Sequence, residues 1–116
     1  MYNKRKIGAE HEQLAAEFLR KNGYTIIDMN YYCRLGEIDI IAKEQDYIVF
    51  IEVKYRSNLQ MGYPEEAVHV RKQRSIIRTA RFYMLTHGIS EDTPCRFDVV
   101  VMLGEEIKLI SDAFTL

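Results

Sequence analysis

The chain has 116 residues, 47% of them hydrophobic and 28% charged, with a formal net charge of -1 at pH 7. That length suits one domain, residues 1–116, which can bury a real core without disulfide or metal staples. A near-neutral charge supplies no whole-molecule field for a polyanion or a membrane, so any such site must come from local clustering.

Cys33 and Cys95 are too few to make a structural zinc site alone, and His11, His69 and His87 do not flank them with zinc spacing. Two free thiols fit a reducing cytosol, so a cytoplasmic protein is expected. The N-terminal stretch MYNKRKIGAEHEQ is basic but has no apolar core, so no signal peptide is expected. No apolar run approaches a membrane span, and there is no repeat, linker or low-complexity tract.

Residues 7–22 read as a first helix, with Ile7, Leu14, Ala15, Phe18 and Leu19 on one arc, His11 inside it and Glu12 at its edge. Asn22-Gly23 ends that helix, with Gly23 suited to a left-handed cap. Residues 24–32 read as a first strand, 36–42 as a second and 47–54 as a third. The turn KEQD makes strands two and three an antiparallel hairpin. After the polar loop RSNLQMGYP, a long helix is expected over 65–87, with Pro64 at its start and Glu65 and Glu66 at the positive end of its dipole. HGISEDTP closes it, RFDVVVML (96–103) reads as a strand buried on both faces, and EEIKLISDAF as a final edge strand. The order α-β-β-β-α-β-β predicts an α/β fold, a mixed β-sheet with helices packed on it.

Four charges interrupt the apolar hairpin strands: Glu37, Asp39, Glu52 and Lys54. Unpaired inward charge costs several kcal/mol, so these residues ask for partners. Strand alternation places Glu37, Asp39 and Ile41 on one face of strand two, and Ile48, Phe50, Glu52 and Lys54 on one face of strand three. If Asp39 faces the same way as Glu52, the hairpin brings both within reach of one cation. Carboxylate and carbonyl oxygens make a hard site suited to Mg²⁺ or Mn²⁺, and such ions serve phosphodiester cleavage. A lysine beside the metal can orient the attacking water or stabilise developing negative charge. The spacing equally allows a plain Glu52–Lys54 ion pair at a strand end, with Glu37 and Asp39 in solvent.

Asp39 followed after a hairpin by "EVK" (Glu52, Val53, Lys54) resembles the PD-(D/E)XK pattern of restriction-endonuclease-like nucleases, although no proline precedes Asp39. The wider set GEIDII, VFIEVKYR, GYPEEAV, RKQR and RFDVV resembles the YraN-type family of small bacterial proteins across nearly the whole chain. It is also similar to archaeal Holliday-junction resolvases. The resemblance implies a restriction-endonuclease-like fold and a metal-dependent endonuclease acting on DNA, at branched or damaged sites. It implies Asp39 and Glu52 as metal ligands, Lys54 as catalytic lysine and Glu12 as the first-helix glutamate. The resolvase likeness implies a homodimer. His11 stands where that family usually has glycine before the first-helix glutamate.

Arg71, Arg74, Arg78 and Arg81 recur at spacings of three and four along the second helix, forming one stripe with no acidic residue between Glu66 and Glu91. Val70, Ile77, Ala80 and Met84 are left for the core face. Such a stripe suits phosphate backbones, although a solvated helix face has the same look. Arg34 and Arg56 bracket the hairpin and are further candidates for phosphate contact. Gln73 falls on the core side, where it either supports the Glu52–Lys54 end of the sheet or bonds backbone. Residues 4–6 (KRK) read as a basic arm, and Tyr55, Tyr63 and Tyr83 as candidates for base stacking. Two other functions fit the same residues: a nucleic-acid-binding module that does not cut, acting alone or with a protein partner, and an interaction protein whose charges are only an ion-pair network.

Overall fold

The computed structural model describes residues 4–56 and 68–115, with side chains from residue 8 onward. The side chains of the basic arm at 4–6, most of the loop expected at 56–64, Tyr63, and the Pro64, Glu65 and Glu66 helix start lie outside those residues. The elements run α1 (Lys4–Lys21), β1 (Thr25–Cys33), β2 (Gly36–Glu44), β3 (Tyr47–Arg56), α2 (Val70–Thr86), β4 (Cys95–Leu103) and β5 (Glu106–Phe114). This is the α-β-β-β-α-β-β order expected from the sequence.

One five-stranded sheet follows chain order, β1-β2-β3-β4-β5. All neighbours are antiparallel except β3 and β4, which are parallel. A parallel pair cannot be joined by a tight turn, and α2 lies in the crossover between these two strands. The central strands are closed on both faces: Ile48 to Glu52 and Phe97 to Met102 are all buried. Ala15, Ala16 and Leu19 of α1 cover one face, against Ile40, Ala42, Val49, Ile51 and Val100. Ile76, Ala80 and Tyr83 of α2 cover the other, against Ile38, Ile41, Phe50, Phe97 and Val99.

Three details differ from the sequence reading. The buried arc of α1 is Ala15, Ala16 and Leu19, while Leu14 is 47% exposed. At 100° per residue this arc centres on the azimuth of Glu12, which therefore faces the sheet rather than lying at the margin. Alanines at the contact let the helix approach closely. In α2 the buried residues are Ile76, Thr79, Ala80 and Tyr83, whereas Val70 is exposed. That helix also begins later than expected: His69 is its cap, and its Nδ1 accepts from the Arg71 N–H at 3.3 Å.

Gly23 takes φ 91° just past α1, the left-handed cap that its sequence position suggested. Gly36 opens β2 at φ 151°, where a Cβ would stand 2.5 Å from Ser75 Oγ and 2.8 Å from Thr79 Oγ1. A bare backbone is needed there so that α2 can seat against the hairpin. On β4, level with Ile51, Asp98 is fully buried and bound on all sides. It accepts from Tyr24 Oη at 2.7 Å, from Arg96 Nε and Nη2 at 2.9 Å each, and from the Asp112 N–H at 2.9 Å. Arg96 reaches on to Glu44 at 3.1 Å. The network ties β2, β4, β5 and the entry to β1 together. Burial and the neighbouring Asp98 push the Tyr24 hydroxyl well above its ordinary range.

Candidate active site

The ladder between β2 and β3 runs from Glu44↔Tyr47 to Ile40↔Ile51, and Asp39 follows next on β2. Its carboxylate accepts the Val53 N–H at 2.8 Å, so a side chain takes the place of the next ladder carbonyl. This fixes Asp39 in the notch between the two strands.

Local backbone on β1 produces the same result from the other side. Met29 pairs with Ile40 and Tyr31 with Ile38, so Asn30 stands opposite Asp39, and Asn30 has φ 55°. Asparagine tolerates that left-handed geometry better than most residues. Strict alternation on β2 breaks here. Ile38 and Ile41 both pack toward α2, while Ile40 packs toward α1. Ile41 therefore does not share a face with both Glu37 and Asp39, as uninterrupted alternation predicts. With its amide nitrogen toward the carboxylate, Asn30 donates to Glu12 Oε1 at 2.8 Å and Oε2 at 3.0 Å.

From the α2 side come Glu52 and two cations. Glu52 is 6% exposed, with Lys54 Nζ at 3.4 Å and Lys72 Nζ at 4.0 Å from its Oε1. Glu12 thus approaches from one face of the sheet and Glu52 with its lysines from the other, and Asp39 lies between them. Burial, then the negative charge of Asp39, pushes the Glu52 carboxyl up to about 7, against the pull of Lys72 and Lys54. Glu12 is likewise pushed up to about 7, by burial, by the charge of Asp39 and by their hydrogen bond, while Asn30 pulls it down. A cation at this point would relieve the repulsion.

Among the described residues no three His, Cys, Asp or Glu side chains gather tightly enough to enclose a metal. The donor set therefore suits no closed tetrahedral cage. It does fit Mg²⁺, which keeps several waters and takes one or two carboxylates. Asp39 and Glu52 are the pair that could hold it, and the Glu52 shift marks where positive charge is wanted.

The remaining candidates lie around the notch or away from it. Arg34 is exposed in the β1–β2 turn, and Arg56 at the end of β3 turns its Nη1 back to the Tyr55 carbonyl at 3.2 Å. Arg71, Arg74, Arg78 and Arg81 are all exposed. Their azimuth is opposite the buried Ile76–Ala80 side, so they form the outer face of α2, a helix diameter of roughly 10 Å from the sheet. Gln73 donates to the Val68 carbonyl at 3.0 Å, which is the backbone-bonding role; Lys72 reaches Glu52 in its stead. Tyr83 is 4% exposed in the core and Tyr55 is 44% exposed. His11 is neither core nor part of the carboxylate cluster: it stacks on Tyr55, with centroids 4.1 Å apart and planes at 13°.

Asn30 and Lys72 were not singled out by the sequence reading. Lys72 had a signal, since it shares the azimuth of Ile76 and Thr79 while sitting a turn beyond the sheet. Asn30 had none beyond its tolerance of positive φ.

Fold and notch together define a mixed α/β domain with carboxylates and lysines converging at one end of its sheet. The chain belongs to the uncharacterised protein family UPF0102, whose model matches residues 11–102. It is 56% identical to a UPF0102 protein of Lachnoclostridium phytofermentans, an alignment covering 97% of this chain and 95% of the relative. It is 48% identical to one from Acetivibrio thermocellus, covering 97% and 93%. A Clostridium botulinum relative is 42% identical over 97% of each chain. The matched span contains Glu12, Asn30, Asp39, Glu52, Lys54 and Lys72. No helix among the described residues is long and apolar enough to cross a membrane.

Proposed function

We propose that the chain is a metal-dependent endonuclease of the PD-(D/E)XK kind, hydrolysing phosphodiester bonds in DNA. The observation that carries this reading is the notch, where Asp39 meets Glu12 and the Glu52–Lys54–Lys72 group at the parting of β2 and β3. A purely structural ion-pair network would match its charges. This one holds Asp39 against two carboxylates and raises both of them. Asp39 and Glu52 would hold Mg²⁺ or Mn²⁺. The ion, when bound, supplies Lewis-acid stabilisation of the phosphate and acidifies a water. Lys54 orients that water or offsets developing charge. Lys72 favours the ionised form of Glu52 against burial and the charge of Asp39. Glu12, fixed by Asn30, is a base or an outer ligand on the opposite side.

The test is incubation of the wild-type chain, Asp39→Asn and Glu52→Gln with Mg²⁺ or Mn²⁺ and labelled four-way junction, flap, single-stranded and duplex DNA. Cleavage by the wild type and its loss in both variants is the expected result. Cleavage unchanged in the variants would remove the notch from the chemistry. A second reading, nucleic-acid binding without cleavage, draws on the arginines of α2, because their outward face can hold phosphates independently of the notch. Binding by a wild type that never cuts, lost when Arg74 and Arg78 are replaced, would favour it.

A further inference from the structure

The end of β1 carries a feature that the notch chemistry does not use. Tyr32 is 78% exposed, and among the described residues its side chain makes no ring contact or hydrogen bond. An aromatic side chain of that size gains free energy by being covered. Its position says what would cover it.

Tyr31 points to the α2 side, where its ring meets Tyr83 edge-on at 5.0 Å. Tyr32, the next residue on the strand, therefore points to the α1 side. That is the side on which Asn30 holds Glu12. Tyr32 pairs with Glu37, whose charge Glu12 feels. Two residues of strand separate Tyr32 from Asn30, about 7 Å. The ring thus stands beside the acidic notch, about one nucleotide away.

Its mount is firm. Ser75 Oγ donates to the Leu35 carbonyl at 3.3 Å, the Leu35 N–H points to Cys33 Sγ at 3.4 Å, and Gly36 is pressed against Ser75 and Thr79. A ring on a strand end held by a fixed turn loses little entropy on contact. Across the notch, on β3, the half-exposed Tyr55 is backed by His11. Two strand spacings, about 10 Å, separate β1 from β3. Aromatic platforms therefore flank the notch on both sides, and Arg34 stands in the turn next to Tyr32.

We infer that Tyr32 is a base-stacking residue, and that the substrate of the notch carries unpaired nucleotides rather than continuous duplex. Bases within a duplex present their faces only to each other, so an exposed ring can stack on a base only where pairing has ended. The strand then passes over the notch with Arg34 against a flanking phosphate and Tyr55 facing the next free base. This inference rests on the nucleic-acid reading above.

The test separates the two. Fluorescence anisotropy would follow binding of a short labelled oligothymidine and of a blunt duplex of equal length, with EDTA present so that nothing is cut. Wild type, Tyr32→Ala and Tyr32→Phe are compared. A second readout is the emission of a single-stranded oligonucleotide containing 2-aminopurine, which is quenched on stacking. Tyr32→Ala should weaken single-strand binding about tenfold and abolish the quenching. Tyr32→Phe should keep both within about twofold of wild type, and duplex affinity should hardly move, because only the ring face is used. Tyr32 is exposed, so the alanine variant keeps the fold, which circular dichroism verifies. Single-strand affinity equal to wild type in Tyr32→Ala, or equal losses on both DNAs, overturns the inference and leaves the nuclease reading standing; the ring would then serve a protein contact. Wild-type chain that binds neither DNA overturns the nucleic-acid reading, and this inference with it.

Discussion

Glu52→Gln should make the protein more stable at neutral and alkaline pH, against the usual expectation for loss of an ion pair. Glu52 is 6% exposed, and its carboxyl is pushed from 4.5 to about 7. A folded-state value above the unfolded one means that the folded chain holds the proton more tightly. The associated stability is complete below about pH 4.5 and is lost as pH rises through about 7. At 1.36 kcal/mol per pH unit, the full loss is about 3 kcal/mol. Glu12 moves in the same direction, and because both carboxyls interact with Asp39 their protons are shared events that cannot be added. Glutamine cannot ionise, so the variant loses this slope, while every other titrating group is common to both proteins. Urea unfolding followed by circular dichroism at pH 5 and pH 8 measures the difference. Near-equal stability at pH 5 and a gain of up to about 3 kcal/mol in the variant at pH 8 is expected. Parallel pH profiles, or a variant less stable at pH 8, would mean that Lys54 and Lys72 already satisfy Glu52, and that the notch has no excess negative charge to offer a cation. Mg²⁺ in millimolar amounts should narrow the gap by stabilising only the wild type.

Gly36→Ala should destabilise the chain by about 1–3 kcal/mol, since the new Cβ meets Ser75 Oγ at 2.5 Å and φ is 151°; thermal unfolding reads it, and an unchanged Tm refutes it. Arg96→Met should cost about 3–5 kcal/mol by leaving the fully buried Asp98 without its cation, and a loss below about 1 kcal/mol in urea titration would show that Tyr24 and the Asp112 N–H suffice. Arg74→Ala with Arg78→Ala should flatten the salt dependence of DNA binding by roughly one unit of slope per lost phosphate contact, with little effect on stability; an unchanged slope would make the stripe a solvated face.

How far the sequence disclosed this molecule can be followed residue by residue. Element order and strand limits were legible because apolar alternation, Asn22-Gly23 and the KEQD turn are local signals, and the structure follows them. The five-stranded sheet keeps chain order, so no long-range guess was needed for most neighbours. What was not legible depends on contacts between elements. Leu14 and Glu12 exchanged roles because the sheet selects alanines for close approach, which helical periodicity alone does not reveal. Asp98 looked like one polar residue in an apolar strand, yet four donor groups surround its carboxylate, two from Arg96 on the same strand and two from the distant Tyr24 and Asp112. Asn30 and Lys72 belong to the notch only because β1 bends at a positive φ and α2 overhangs the sheet end.

The four charges in the hairpin strands are a local inconsistency in an otherwise consistent sequence, and two aspartates of the sheet show why that matters. Asp98 and Asp39 both accept a backbone N–H from a neighbouring strand. Around Asp98, a guanidinium and a phenol complete the shell, so the buried carboxylate is satisfied. Around Asp39 stand other carboxylates, and the nearby lysines are directed to Glu52. A fold that neutralises the fully buried Asp98 on β4 has left the partly buried Asp39 on β2 among other carboxylates. Structural need alone would favour the first arrangement twice. The second makes physical sense where the missing positive charge arrives with a ligand, which is why an expected loss of stability at high pH and the proposed metal chemistry are two consequences of a single arrangement.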